Sequence, residues 1–443
     1  MRLALPLSLA LLAAAPAFAA GSAGEDAFQD ARTWTVQIRT SVDRPFINDS
    51  QGSFQGAGLV VDAARGWVLT NAHVASRSYS DITVAFQDTK PIPAERLYVD
   101  PHLDLAIIAY DPASLAKPPR EPKLECEHLP AVGHPVGAFG HPWGFRFTGT
   151  RGITSAVTSR LGPNMLQTDA PINAGNSGGP LISLESGRVV GVNAAKISNE
   201  SVEGLSFAVP MPYACTVIDL LERELDPSPP ARLVDFAVDM NEEQTMIVAR
   251  SRLPAGTLDL RVGDELLAVA RPRRALHSES DLIDALRGRL DAVVLTIRRG
   301  GVEQTIEGRW PAASPIIERR GLWISGALFA EAEPLSAGQL TGTPALMVHH
   351  VEPGSSAEAE GLHPFDMLLA INGRSVGSLA ELESTARSAA VDETPLDLML
   401  LRLASSSRDE LFGYQHRSLA ADEVEVVAPE PESGASTTTG SLR

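Results

Sequence analysis

Residues 34 to about 209 break into short β-branched or apolar runs separated by glycine turns: TWTVQI, GLVVD, WVLTNAHV, ITVAF, LAIIAY, GAFG, GITSAVTS, RVVGVNA and SFAVP. Runs of this length, with little helical periodicity, bury themselves as barrels or sandwiches. A Pro-rich stretch, DPASLAKPPREPK at 111–123, reads as a linker between two β units. The strand-rich part ends at Pro210, and YACTVIDLLEREL has apolar residues at helical spacing, which predicts a closing helix over 213–225, stopped by DPSPP.

With 443 residues the chain is too long for one compact core, so further domains are expected. Two later stretches match each other in order. LDLRVGDELLAVARP and EGLHPFDMLLAINGR share Leu, Asp and Leu-Leu-Ala; each is followed by a helical segment, SESDLIDALR or SLAELESTAR, and then a strand, VVLTIRR or LDLMLLR. Three elements in one order point to an internal duplication. The last stretch, APEPESGASTTTGSLR, lacks the apolar content needed to pay for ordering and is expected to be disordered over 428–443.

The first residues give one positive charge at Arg2, an apolar run and the small-x-small sequence Ala17-Phe18-Ala19, which predicts a secretory signal over 1–19. The alternative, a membrane anchor, meets an apolar run shorter than the roughly 20 residues a bilayer requires, broken by Pro6 and Pro16. An exported, periplasmic protein of the cell envelope with no stable membrane insertion is the expectation. A formal net charge of -18 repels phosphate backbones, so protein or peptide partners are expected rather than nucleic acid. The two cysteines, Cys126 and Cys215, could form one bridge or remain two buried thiols.

Chemistry is concentrated in three contexts. INAGNSGGPLIS sets Ser177 between glycines that permit a tight turn and expose backbone N–H groups. Amide hydrolysis needs a nucleophile beside a base, and donors aimed at the developing oxyanion; Gly175 and Ser177 could supply those donors. His73 in VLTNAHVA, at the end of an apolar strand, is the candidate base, and Asp104 in HLDLAIIAY its orienter. Each alone would be an ordinary cap or surface group. Together, in the order His, Asp, Ser on two β units, they follow a known triad order. His349-His350 lacks a third ligand by spacing and reads as a strand pair on alternate faces; no metal and no cofactor is expected.

GLVVDAARGWVLTNAHVA, DPHLDLAIIAY, GAFGHPWGFRFTGTRGITSAV, TDAPINAGNSGGPLIS and VVGVNAAKISNESVEGLSFAVP resemble successive motifs of the high-temperature-requirement (HtrA, Deg-type) serine proteases. The resemblance implies a mainly β chain: a chymotrypsin-like double β-barrel protease domain over 20–225, followed by two α+β PDZ-like domains, at 232–310 and 316–427. It implies a serine endopeptidase that hydrolyses unfolded or damaged proteins in envelope quality control, working as a homo-oligomer, a trimer or a multiple of it. Carried over by residue, His73 is general base, Asp104 its orienter and Ser177 the nucleophile, with the Gly175 and Ser177 amides holding the oxyanion. Pro171 lies at the floor of the primary specificity pocket, which disfavours cleavage after Lys or Arg. The backbone of Asn193, Ala194 and Ala195 pairs with extended substrate, and Leu205, Ser206 and Phe207 form a further pocket wall. Ser206 and His141 stand where the family has glycine and asparagine. The resemblance also places Cys126 and Cys215 where a disulfide between linker and closing helix is found in related folds.

A PDZ groove captures an extended peptide beside a strand, with a loop of N–H groups receiving its carboxylate. In the second module Arg319, Arg320, Gly321, Leu322, Trp323 and Ile324 occupy that place; in the first, LVDFAVDM offers no glycine and brings Asp235 and Asp239, so it reads as mainly structural. Two other functions remain open on these residues: a chaperone or scaffold that keeps the barrel with little turnover, and a regulatory protease with one dedicated substrate.

Overall fold

The structure, a computed structural model, describes residues 23–141, 147–158, 164–199, 202–238, 245–271, 273–332, 345–405 and 410–429. The expected signal segment 1–19 lies outside these, as does all but the start of the expected tail 428–443.

Six antiparallel strands, β1 (Thr35–Val42), β2 (Gly52–Asp62), β3 (Trp67–Thr70), β4 (Asp81–Ala85), β5 (Ile92–Asp100) and β6 (Leu105–Tyr110), close into a barrel in the order β1-β2-β3-β6-β5-β4. β6 lies between β3 and β5, and its run LAIIAY is buried except for a half-buried Ala109. A second closed barrel follows from β7 (Pro135–Gly140), β8 (Thr148–Thr158), β9 (Met165–Thr168), β10 (Pro180–Ser183), β11 (Val189–Asn199) and β12 (Val202–Pro210), ordered β10-β11-β12-β9-β8-β7. A helix, α1 (Ala23–Ala31), precedes the first barrel. Its Phe28 lies over Gly137 and Gly149, where a Cβ would stand 2.4 and 2.8 Å from the ring, and stacks on Phe139.

A one-turn helix, α2 (Ala72–Ala75), follows β3, and α3 (Met211–Glu222) closes the barrels. α3 begins two residues before the expected 213–225, because Pro212 tolerates the first helical turn. It ends sooner because Glu224 takes a positive φ of 56°. The linker reaches beyond 123: Glu125 N–H donates to Val189 O at 2.9 Å, so the chain joins the edge of β11 before β7 begins. Cys126 and Cys215 are disulfide-bonded with Cα atoms 5.7 Å apart, tying linker to α3.

The first C-terminal module contains β13 (Val234–Val238), β14 (Met246–Ser251), β15 (Glu265–Ala270), β16 (Arg273–Ala275), α4 (Glu279–Leu286), β17 (Val293–Arg299) and β18 (Val302–Gly308), its sheet ordered β13-β14-β15-β17-β18. The second contains β19 (Gly321–Ile324), β20 (Ala327–Glu331), β21 (Leu346–Val351), α5 (Ser356–Ala359), β22 (Met367–Ile371), β23 (Arg374–Ser375), α6 (Leu379–Val391), β24 (Leu396–Ser405), β25 (Glu410–Leu419) and β26 (Val424–Val427), ordered β25-β24-β22-β21-β20-β19-β26. The duplication extends to single contacts. Buried Asp264 accepts from Arg299 Nε and Nη2, both at 2.7 Å, and buried Asp366 accepts from Arg402 Nε and Nη2, both at 2.6 Å. Both helices are capped alike, by Ser278 and Ser378.

One placement differs from the sequence reading. LVDFAVDM supplies β13, which corresponds in sheet order to β20 and not to the loop before β19; Asp235 pairs with Arg252 at 3.4 Å, and Asp239 lies outside the described residues. His349 and His350 do face different surroundings. His349 Nδ1 accepts from Ile47 N–H at 3.1 Å while its Nε2 donates to Glu331 O, and His350 stacks on Trp323. Among the described residues no metal-holding group of His, Cys, Asp and Glu occurs, and no helix is long and apolar enough to cross a membrane.

Candidate active site

β3 ends at Thr70, and the chain turns through Asn71 into α2, which carries His73 at the mouth of the first barrel. Asp104 lies in the turn between β5 and β6, flanked by the buried Leu103 and Leu105. Its φ of +53° is a left-handed conformation that aspartate tolerates better than most residues. Two neighbours hold it there. Asn71 Nδ2 donates to Asp104 O at 2.9 Å, and Asp100 Oδ1 accepts from the His102 and Leu103 N–H groups at 2.9 and 3.0 Å.

The Asp104 carboxylate grips His73 twice: Oδ1 accepts from the His73 N–H at 3.0 Å and Oδ2 lies 2.7 Å from Nδ1. An ionised carboxylate only accepts, so Nδ1 carries the proton and the Nε2 lone pair is left to act as a base.

Ser177 sits on the loop between β9 and β10. Asn176 N–H donates to Asn173 O and Gly179 N–H to Asn176 O, successive turns that force Gly175 and Gly178 to φ of 101° and 81°. A Cβ on Gly178 would stand 2.1 Å from Thr70 Oγ1 and 2.2 Å from Ala57 O, so only glycine lets the loop lie against the end of β3. Ala57 N–H donates to Ser177 O at 2.8 Å, fixing the loop to the barrel that bears His73. Ser177 Oγ donates to Ala194 O at 3.3 Å and makes no hydrogen bond with His73. Among the described residues the N–H groups of Gly175 and Ser177 make no hydrogen bond, while Gly175 O accepts from His141 N–H at 3.0 Å. Donors left without an acceptor in this way are what a tetrahedral oxyanion requires.

The expected substrate-contacting residues divide. Asn193 is buried and engaged: its N–H donates to Gly179 O, its O accepts from Gly178 N–H, both at 2.8 Å, and its side chain donates to Pro180 O. It holds the loop that carries Ser177. Ala194 is a bulge opposite β12, between the pairs Asn193↔Ala208 and Ala195↔Phe207. Pro171 is exposed, and its O accepts from Thr150 Oγ1 at 2.8 Å. Ser206 and Phe207 are buried and Leu205 half-buried; Ser206 Oγ accepts from Ile172 N–H at 3.4 Å.

In the second module Gly321, Leu322, Trp323 and Ile324 form β19 and are buried. Arg320 is exposed, and the Arg319 guanidinium lies 5.1 Å from the Phe46 ring centre, with its backbone O accepting from Tyr79 OH. Burial pushes the Tyr79 hydroxyl up to about 12, so it remains a donor there.

Residues 56–192, which contain His73, Asp104 and Ser177, match the trypsin-like peptidase domain, and residues 330–399 match the PDZ domain. A probable periplasmic serine endoprotease DegP-like of Halomonas elongata is 30% identical over 357 residues, spanning 74% of this chain and 72% of that protein. The chain belongs to the DegP-like serine endoproteases. A protein of the same name from a Marinomonas species is also 30% identical, over 76% of this chain and 75% of that protein. In fold, the DegP-like chain is similar to the HtrA-type protease AlgW with tripeptide, at a TM-score of 0.54 and 24% identity over 66% of this chain and 98% of that one. It is a serine endopeptidase with one matched PDZ domain, in the second module.

The sequence reading missed Asp100, Asn71 and Ala57 as supports of the site. Asn71 had a local signal, an amide side chain immediately before a helix start. Ala57 and Asp100 had none, because they act through a backbone N–H and through a turn.

Proposed function

We propose that this endopeptidase hydrolyses unfolded or damaged proteins through an acyl-enzyme on Ser177, with His73 as general base and Asp104 as its orienter. The observation that carries the reading is the double grip of Asp104 on His73, beside a serine whose loop is fastened to the same barrel. Rotation of Ser177 about χ1 moves Oγ from Ala194 O toward His73 Nε2; catalytic hydrogen bonds commonly tighten only when substrate binds. Nε2 then takes the hydroxyl proton as Oγ attacks the carbonyl carbon, and the oxyanion meets the Gly175 and Ser177 N–H groups. Collapse expels the amine, which receives that proton, and water repeats the sequence to free Ser177.

Pro171, Ser206 and Phe207 bring no carboxylate, which suits small or medium apolar side chains before the cut. Ala194 and Ala195 offer backbone to an extended substrate, whereas Asn193 acts as a positioning residue. The duplicated Asp–Arg contacts support a PDZ-like first module, with β13 as its edge, in a structural role. The second module is the peptide site. The names of the relatives support action in the periplasm, the sequence of 1–19 supports its removal as an export signal, and the resemblance supports a trimer or a multiple of it.

The Ser177–Ala194 hydrogen bond favours one rival, a binding protein with little turnover. Hydrolysis of a reduced, unfolded protein separates the two. Wild type should cut it, and Ser177→Ala should lose at least about 10⁴-fold in rate while keeping its melting temperature. Equal turnover by the two would remove Ser177 from the mechanism.

A further inference from the structure

β19 has two edges. One pairs with β20, and the other, the edge to which an extended peptide would add, is already filled by β26. The two run antiparallel in the register Gly321↔Val427, Leu322↔Val426, Trp323↔Glu425, Ile324↔Val424, extended by Ser325 N–H donating to Glu423 O at 2.9 Å. α6 lies against both strands, so β26 occupies the trough between a strand and a helix.

We propose that residues 423–427 are an internal ligand of the second module, and that the groove takes from a partner an extended segment alternating acidic and β-branched residues. This rests on reading that module as a peptide site. The alternation is chemical as well as geometric. Val424 and Val426 pack on the core of the module, while Glu425 and Glu423 turn to Arg44 of the first barrel, at 2.6 and 3.5 Å. Glu423 also accepts from Trp323 Nε1, and the Arg44 guanidinium lies 4.5 Å from the Trp323 ring centre. Val427 joins Phe46, Trp323, Leu328 and Ala330 in one apolar cluster. Recognition is therefore shared between protease and module, and Val427 is followed by further chain, so the groove accepts an internal segment without a terminal carboxylate.

Only residues 420–423 separate β25 from β26. A tether this short holds the strand at an effective concentration of order 1 mM, so a strand with an intrinsic affinity of about 100 μM would mask the groove from a partner peptide about ten-fold. Edge pairing supplies sequence-tolerant affinity, and the two faces supply the preference.

The test uses the full chain carrying Ser177→Ala, so that probes survive, and three fluorescent peptides: residues 421–429 capped at both ends, the same with Glu423 and Glu425 changed to Lys, and residues 421–427 with a free carboxylate. The capped acidic peptide should bind at least about ten-fold more tightly once Val424→Lys and Val426→Lys are added, or when the chain stops at Asp422. A chain stopping at Pro429 should behave as the full one. Arg44→Glu, added to the double lysine variant, should weaken the acidic peptide and strengthen its lysine counterpart. If the opened forms bind the free-carboxylate peptide, but no form binds the capped peptide more tightly than the full chain does, the internal-ligand proposal is overturned and the peptide site stands. If no form binds any probe, the peptide-site reading fails as well. The double lysine variant keeps the test decisive should the shortened chain not fold.

Discussion

Asp100 and Arg287 form a 2.6 Å ion pair in which neither side chain meets solvent, joining the end of β5 to the first C-terminal module. Arg287 Nη1 also donates to Tyr98 OH at 3.1 Å and to Pro227 O at 2.6 Å. Burial alone would lower the Arg287 pKa, but Asp100, Tyr98 and Asp284 together outweigh it and the net direction is up. The other oxygen of Asp100 sets the turn that carries Asp104, so a side chain of the first C-terminal module braces the residue that holds His73.

Removing one partner of a buried pair strands the other charge. Arg287→Ala is expected to destabilise the protein by about 3–5 kcal/mol, read from denaturant unfolding. Arg261→Ala, which breaks an exposed pair with Asp259, should cost less than about 1 kcal/mol. Equal effects would show that the buried contact does not join the domains in solution.

Acid should loosen the same turn. Burial lowers the pKa of His102 below its usual 6.5, against the pull of Asp100. The unfolded chain therefore takes up this proton first, so the contribution is complete above about 6.5 and is lost as pH falls through that value toward the folded pKa. Melting temperature measured from pH 8 to pH 5 should fall less steeply in His102→Gln than in wild type. Parallel profiles would remove His102 from the acid response.

Reduction of Cys126–Cys215 frees the linker from α3. Loss of a long-loop crosslink is expected to cost about 2–4 kcal/mol, measured by unfolding of the Cys126→Ser, Cys215→Ser double variant against wild type under oxidising conditions. An unchanged midpoint would show that the linker needs no tie.

Gly178→Ala puts a methyl group within 2.2 Å of both Thr70 Oγ1 and Ala57 O at a positive φ. The loop must lift from the first barrel, and a shift of about 1 Å at Ser177 is expected to lower kcat/KM about 10²-fold. Wild-type kinetics from this variant would mean the loop is not held as described.

The barrels were legible because runs such as LAIIAY and WVLT are short apolar strands bounded by turn residues, Asp111-Pro112 after the one and Gly66 before the other, and the three site contexts each sit near a strand end. What escaped were features that depend on distant partners. One is the seat of AGEDAFQDA, whose helix is placed by Phe28 against the glycines of β7 and β8. VEVV reads as any edge strand; its place beside β19 depends on Arg44 and Trp323. The backbone of Asn193 was expected to pair with substrate, but its N–H and C=O are taken by Gly179 and Gly178, a pairing that exists only once the Ser177 loop has folded back.

The central claim, that Ser177 is a nucleophile activated by His73 and Asp104, is tested most directly by mass spectrometry of the intact protein after exposure to a fluorophosphonate. One adduct on Ser177 in wild type, and little or none in His73→Ala or Asp104→Ala under the same exposure, is the predicted result. An unlabelled wild type that still digests unfolded protein, or a label on a different serine, would contradict it.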